Sequence, residues 1–351
     1  MEFYKILINW YLKSKRKLPW RETQNPYNIW LSEIMLQQTR IAQGLPYYEA
    51  FIEAFPTVFD LAKAPQDKVM KLWQGLGYYS RARNLHETAK YIAFECEGEF
   101  PKSYKELLKL KGVGDYTASA IASISYNEPV AVVDGNVFRV LARYFNIDTP
   151  INSTAGKKEF KNLATELLDK DQPSLFNQGI MEFGALQCKP KNPLCETCPF
   201  NDSCLALKED KISELPVKIK KGKIKKRYFN YLVFSSEENK TMLQQREGKG
   251  IWNGLYEFPL IETEQDIGDA LNIEQSKEFK NITGSTKASV SLYNYKPIVH
   301  KLSHQHIYAR FWLVEVKNIS VEKAILIENL ENYPVPVLIQ NFLNEIELEN
   351  L

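Results

Sequence analysis

The chain lacks any apolar run long enough to cross a bilayer as a helix, which sets aside the helical membrane proteins. Met1 to Trp20 are punctuated by lysines and arginines and lack the continuous apolar core of a signal peptide. A disulfide framework is missing too: of five cysteines, four crowd between Cys188 and Cys204, a poor layout for a secreted protein. Net charge is close to absent, with 45 Lys and Arg against 43 Asp and Glu, so the bulk charge names no nucleic-acid partner. There is no repeat at solenoid spacing and no low-complexity tract beyond one short basic stretch. These absences predict a soluble, cytoplasmic protein with no membrane partner.

What is present is enough apolar material, 44% of 351 residues, to build a core, and the length suggests two domains. From about Ile6 to about Leu205 apolar residues recur at three- and four-residue steps, the pattern of helices, with Pro19, Pro26, Pro46, Pro56, Pro65 and Pro101 expected to separate the segments. Lys218, Lys220, Lys221, Lys223, Lys225, Lys226 and Arg227 then form a basic, Gly-containing stretch, read either as a solvated linker or as a contact for phosphates. Beyond it, Tyr228 to Phe234 and Ser289 to Val316 are rich in the aromatic and β-branched residues of strands. The expected organisation is a helical domain over 1–215, a basic linker over 216–227, and a mixed α+β domain over 228–351.

Cys188, Cys195, Cys198 and Cys204 are separated by six, two and five residues, with Pro190, Pro193 and Pro199 keeping the loop out of helix. Four thiolates so close imply a metal site, and the ligand count alone suits structural zinc and an iron-sulfur cluster equally. Cys96 stands apart as a plain buried thiol. Lys189 and Lys191 fall on the cysteine loop, where they either contact phosphate or keep the loop soluble. Ser103 and Glu106 have capping-box spacing and predict a helix through Leu107, Leu108 and Leu110 that stops at Gly112. In LKGVGDYTASAIASI, Gly112 and Gly114 are expected in a tight turn at the mouth of the next helix, allowing positive φ and offering N–H groups to a phosphate. Glu33 lies within the apolar run Trp30, Leu31, Ile34, Met35 and Leu36; burial there would raise its pKa, whereas on a helix surface it would be an ordinary solvated acid. Asp134 follows the apolar run PVAVV and precedes Gly135 and Asn136, a position that also suits a helix N-cap.

Taken in order, PYNIWLSEIMLQQTR, the glycine hairpin, Asp134 and the six-two-five cysteines resemble the endonuclease III superfamily of helix-hairpin-helix glycosylases, and within it the MutY-type adenine DNA glycosylases. The resemblance covers nearly the whole chain. It implies a mainly α fold: a helix-hairpin-helix glycosylase domain with a 4Fe-4S cluster on Cys188, Cys195, Cys198 and Cys204, then a nudix-like, MutT-like α+β domain. Glu33 would be the general acid that protonates adenine at N7, and Asp134 would stay ionised to stabilise the oxocarbenium-like sugar. Tyr116 and Asn136 would help position the sugar and the acids. Tyr116 also stands where bifunctional relatives carry a Schiff-base lysine, which implies a monofunctional enzyme; its plain reading is a core tyrosine.

A base inside a duplex cannot reach Glu33, so the adenosine must be flipped out. By resemblance Gln38 and Tyr78, the latter in GLGYYSRARNL, would wedge into the stack, next to Gln37 of the family's Gln-Gln-Thr. Leu76 and Thr39 would lie beside the base opposite adenine. Trp20 and Leu36 would wall the adenine pocket, with Arg21 nearby and Gln178 offering its amide to the base edge. In the second domain GIWNGLYEFP is similar to the nudix-like domain, yet the acidic nudix box is absent, so nucleotide hydrolysis is not expected. Leu302, Ser303 and His304 resemble the Phe-Ser-His loop that recognises 8-oxoguanine. Leu302 offers no aromatic face, while Ser303 and His304 keep hydrogen-bonding capacity. His300, His304 and His306 could instead suggest a metal, but no acid or cysteine accompanies them. The implied partner is double-stranded DNA with adenine opposite 8-oxoguanine or guanine, met by a monomer in the nucleoid. The rivals are a bifunctional pyrimidine glycosylase, a lesion-binding module without chemistry, and a nudix hydrolase with an added binding domain.

Overall fold

The computed structural model describes residues 3–219, 222, 224–284, 286–319 and 324–346. Two compact units divide the chain: Met1–Lys63 with Asn84–Lys221, and Ala64–Arg83 with Gly222–Leu351. The helices up to the cysteine loop and just past it are α1 (Phe3–Ser14), α2 (Pro26–Leu36), α3 (Ile41–Ala54), α4 (Val58–Lys63), α5 (Gln66–Leu72), α6 (Ser80–Glu95), α7 (Tyr104–Leu107), α8 (Asp115–Tyr126), α9 (Gly135–Tyr144), α10 (Thr154–Leu167), α11 (Pro173–Leu186) and α12 (Leu205–Lys208). Among the described residues no helix is long and apolar enough to cross a membrane.

In the first unit α2 starts where Asn25 accepts the Tyr27 N–H (2.9 Å) and Pro26 occupies the first turn, where its missing N–H costs nothing. Tyr27 and every residue from Ile29 to Met35 are buried, so α2 is a central helix without a solvent face. α8 is buried continuously from Thr117 to Ile124 and ends where Asn127 turns left-handed (φ 54). α2 packs on α8, α8 on α11, and α11 on both α1 and α9. Leu7, Val137, Leu141, Phe160, Phe176 and Ile180 form the core between α1 and the helices α9 to α11.

Two helical expectations need correction. Pro46 lies inside α3 instead of separating two segments; it has no N–H to offer the Ala42 carbonyl, and the helix runs on with that bond missing. The helix after Ser103 stops at Leu107: Ser103 caps the Glu106 N–H as expected, but the Lys109 and Leu110 N–H groups bond three residues back, tightening the chain toward Gly112.

The second unit contains β1 (Lys225–Ser236), β2 (Lys240–Met242), β3 (Gln244–Gln245), β4 (Tyr256–Glu257), β5 (Leu260–Thr263), α13 (Ala270–Glu274), α14 (Lys277–Thr283), β6 (Ala288–Leu292), β7 (Ile298–Lys301), β8 (Gln305–Val316), β9 (Ala324–Leu326) and α15 (Val337–Glu345), together with α5. The main sheet runs β5-β1-β8-β6, with β7 also paired to β8; β1 and β8 are parallel, in register from Lys225 opposite Gln305 to Ser236 opposite Val316. Phe229 to Phe234 are all buried, as a strand covered on both faces must be. The basic stretch is therefore only partly a connection. Lys225, Lys226 and Arg227 already belong to β1, and Arg227 forms a two-pronged ion pair with Glu262 at 2.6 Å; Lys220, Lys221 and Lys223 lie outside the described residues. Between β7 and β8 the Leu302 N–H returns to the Gln305 carbonyl (2.9 Å), leaving Ser303 and His304 exposed at the hairpin tip.

The crossing of α9 and α11 is close because Gly184 has no side chain. A Cβ there would sit 2.6 Å from Asn136 Cβ and 2.9 Å from the Asn136 carbonyl oxygen, a backbone atom that cannot turn aside. Gly184→Ala is expected to lower unfolding stability by about 1–3 kcal/mol in urea titrations. An unchanged midpoint would mean that the helices can separate freely.

Candidate active site and cysteine loop

Glu33 projects from α2 into a cleft of about 530 Å³ within the first unit. Trp20, Arg21, Leu36, Thr39, Tyr116, Asp134, Asn136 and Gln178, all singled out from the sequence, line the same cleft. Glu33 is only 6% exposed, and its Oε2 finds no hydrogen-bond partner. Burial drives its carboxyl up to about 7; the Asp134 charge adds to the rise, while a hydrogen bond from Tyr116 and the charge of Arg21 oppose it. The Tyr116 hydroxyl also lies 3.5 Å from Met181 Sδ, and burial keeps it protonated far above neutrality.

Asp134 is the N-cap of α9, and its two readings from sequence are compatible. Oδ1 accepts the backbone N–H groups of Asn136 and Val137 at 2.8 Å each, and Oδ2 accepts from the Asn136 side chain at 2.7 Å. Burial pushes its carboxyl up, while these donors and Arg139 hold it down. The positive end of α9 favours its charged form as well. An acid raised to about 7 and a second carboxyl gripped by helix-end donors thus face one cavity, an arrangement able to donate a proton on one side and stabilise positive charge on the other.

Three residues of the cleft were not anticipated. Glu182, 1% exposed, receives Arg16 through Oε1 (2.9 Å) and Oε2 (2.5 Å) and Arg21 through Oε1 (2.8 Å) and Oε2 (2.7 Å). Burial alone would raise its carboxyl, but the two guanidinium groups bring it down to about 2. Arg139 is the third. Its Nε donates to the Cys188 carbonyl (2.8 Å) and its Nη2 to Asn136 Oδ1 (2.8 Å) and the Gly184 carbonyl (2.6 Å). No local motif marks these residues, since Arg16 and Arg21 meet Glu182 across more than 160 residues of chain.

Gln178 lines the cleft with its amide already oriented: its Oε1 accepts from Tyr11 (3.1 Å) and its Nε2 donates to Ser174 (3.1 Å). Gln37 closes α2 and donates to Thr117 (3.1 Å), outside the cleft, and Gln38 follows it in left-handed geometry (φ 59). Gly112 has the expected positive φ of 77, and a Cβ there would meet Asn84 at 2.8 Å. Gly114 does not: it is the N-cap of α8 in extended geometry (φ −95), with nothing within 4 Å of a Cβ, so its bare backbone is open to an approaching group. Leu76 and Tyr78 belong to the second unit, where they share a cavity of about 400 Å³ with Trp252, His300, Leu302, Ser303 and His304.

Cys188, Cys195, Cys198 and Cys204 line one cavity walled by Val140, Phe183, Leu194, Phe200 and Leu207, and none is in a disulfide. Among the described residues no three His, Cys, Asp or Glu side chains converge as they would on a single ion. Thiols ringing an apolar space suit a multi-atom cluster better than one zinc. Burial and the charges of their neighbours push the Cys198 thiol up to about 11 and raise Cys195 and Cys204 too, so this many thiolates need a cationic centre among them. Arg143 lies 3.5 Å from Cys188 Sγ and donates to the Lys189 (2.8 Å), Pro190 (3.2 Å) and Leu215 (3.1 Å) carbonyls, pinning the loop around that space.

Residues 31–169 match the HhH-GPD superfamily of base excision DNA repair proteins, residues 188–204 the iron-sulfur binding domain of endonuclease III, and residues 230–345 a NUDIX domain. Helical hairpin, paired acids and thiol loop thus define a DNA N-glycosylase of base excision repair with an iron-sulfur site. Over 321 residues the chain is 36% identical to the adenine DNA glycosylase of Buchnera aphidicola subsp. Baizongia pistaciae (strain Bp), an alignment covering 91% of this chain and 88% of that one. The adenine DNA glycosylase of Homo sapiens is 44% identical over 209 residues, 57% of this chain and 38% of the human one. A solved thermostable thymine-DNA glycosylase superposes with a TM-score of 0.55 at 30% identity, covering 59% of this chain and 95% of that one. The chain belongs to the family of adenine DNA glycosylases.

Two outcomes follow from the site. Because the folded state holds the Glu33 proton up to about pH 7 while an unfolded carboxyl releases it near 4.5, wild-type stability falls as pH rises through that window. Glu33→Gln should therefore be more stable than wild type at pH 8 and lose that advantage at pH 4, as read by urea titration at each pH. Cys198→Ser should diminish or abolish the broad visible absorbance of iron-sulfur charge transfer, about 400 nm, in the purified protein. A fully retained band would take Cys198 out of the ligand set.

Proposed function

We propose that the chain excises adenine from duplex DNA where it is mispaired with 8-oxoguanine or guanine, as a monofunctional hydrolase acting as a monomer. The observation that carries this reading is the shared cleft of Glu33 and Asp134. With the adenosine extruded into it, the protonated Glu33 donates to N7, the C1′–N9 bond breaks, and adenine departs with the bonding electrons. The carboxylate of Asp134 then faces the oxocarbenium-like sugar, with Asn136 and Tyr116 fixing the two acids. Water activated by the ionised Glu33 adds to C1′ and leaves an abasic site. Tyr116 offers no amine at the position expected of a Schiff-base lysine, which favours hydrolysis without strand cutting. Trp20 and Leu36 wall the base, and the Arg16, Arg21 and Glu182 cluster supplies fixed donors and acceptors at its edge.

The remaining machinery holds and reads the duplex. Open N–H groups at Gly112 and Gly114 bind a phosphate, and Lys189 and Lys191 add positive charge on the cysteine loop. Cys188, Cys195, Cys198 and Cys204 hold a 4Fe-4S cluster, which when bound fixes that loop. Gln38 and Tyr78 enter the stack, Gln37 anchors the turn beside them, and Leu76 and Thr39 contact the base opposite adenine. Ser303 and His304 supply hydrogen bonds to 8-oxoguanine, with Leu302 beside them as an apolar contact.

The test is incubation of the purified protein with duplexes carrying adenine opposite 8-oxoguanine, then alkali to cut at abasic sites. Alkali-dependent cleavage at the adenine is expected, with no covalent DNA adduct after borohydride. A trapped adduct would replace hydrolysis with lyase chemistry, and intact DNA after alkali would defeat the reading outright.

A further inference from the structure

The turn between α5 and α6 brings three residues of positive φ close together: Gly75 (101), Gly77 (73) and Tyr78 (50). For Tyr78 this is a conformation that a side chain disfavours. Tyr78 is 54% exposed, so burial of its side chain does not impose this conformation. The support comes from beneath. Arg81, 9% exposed, donates through Nη2 to the Gly77 carbonyl (3.0 Å) and more distantly to that of Leu76 (3.3 Å). Its guanidinium carbon lies 5.1 Å from the centre of the Trp73 ring and 5.7 Å from that of Tyr78. Trp73 Nε1 donates to the same Gly77 carbonyl (3.1 Å), and the Arg81 N–H bonds back to the Tyr78 carbonyl (2.8 Å). Burial draws the guanidinium down to about 10, which still leaves it charged at neutral pH.

We infer that Arg81 is a positioning residue for DNA insertion: its guanidinium fixes the carbonyls of Leu76 and Gly77 and lies beneath the Tyr78 ring, so that Tyr78 stands ready to enter the duplex. The inference rests on the insertion of Tyr78 proposed above. A lysine at this place keeps the charge but loses the broad, planar guanidinium that lies 5.1 and 5.7 Å from the two ring centres while its Nη2 meets the Gly77 and Leu76 carbonyls. The arrangement also sets Leu76 and Tyr78, two walls of the cavity shared with Ser303 and His304, relative to one another.

A double-mutant cycle on the full chain tests it, with single-turnover release of adenine opposite 8-oxoguanine as the readout. Arg81→Lys is expected to slow release roughly tenfold in the wild-type background. In a Tyr78→Ala background, itself slow, the same change should cost less than about twofold. A purely structural role would slow both backgrounds equally, and that additivity would overturn the inference. If Tyr78→Ala alone leaves the rate unchanged, the insertion reading falls, and the role of Arg81 with it. Should Arg81→Lys fail to fold, Gly77→Ala disturbs the same turn through its φ of +73 alone, since no atom lies within 4 Å of the new Cβ. It should show the same loss only where Tyr78 is present, and an equal loss without Tyr78 would again count against the proposal.

Discussion

One guanidinium ties the thiol loop to the cleft. Arg139 reaches the Cys188 carbonyl with Nε and the Asn136 side chain with Nη2, and Asn136 in turn donates to Asp134. Because Arg139 and Arg143 are one helical turn apart on α9, both meet the loop from the same face, one beside the cleft and the other against Cys188 Sγ. A buried arginine left without its carbonyl acceptors would be costly, so an ordered cysteine loop and a correctly set Asp134 are parts of one condition. The small residue at Gly184 serves the same junction by letting α11 approach Asn136 closely.

The cleft also shows how neighbouring carboxylic acids receive different charges. Glu33 and Glu182 line the same cavity and are both buried, yet one is pushed up to about 7 and the other brought down to about 2. Desolvation acts on both in the same direction. What separates them is that two arginine forks grip Glu182, while one oxygen of Glu33 has no partner at all. Glu182 is thereby committed to binding geometry, and Glu33 is left able to exchange a proton. The exposed aromatic Tyr78 is the counterpart in the second unit, a residue held in an unfavourable conformation by its neighbours.

Much of this was legible in the residues because the signals were local. The apolar residues around Glu33 announced a helix while leaving its buried or solvated face open, and Asp134 before Gly135 suited a cap. The cysteine spacing and the β-branched, aromatic runs after Lys225 likewise needed no long-range information. What escaped was decided by tertiary contact. Glu182 reads as one more helix glutamate until Arg16 and Arg21 are folded against it, and nothing near Gln178 in sequence shows that Tyr11 will orient its amide. Pro46 was misread for a different reason: an interior proline usually breaks a helix, and only the burial of Tyr48 and Phe51 beyond it shows that α3 continues.

The order of these parts along the chain bears on assembly. Two walls of the thiol cavity, Val140 on α9 and Phe183 on α11, precede all four cysteines, so a nascent chain presents its sulfur atoms to helices already synthesised. The four are close in sequence, which keeps the entropy of gathering them small. Iron loading then asks for the ordering of one short loop and not for the collapse of a whole domain around the metal, in contrast to small zinc modules that have no structure until the ion arrives.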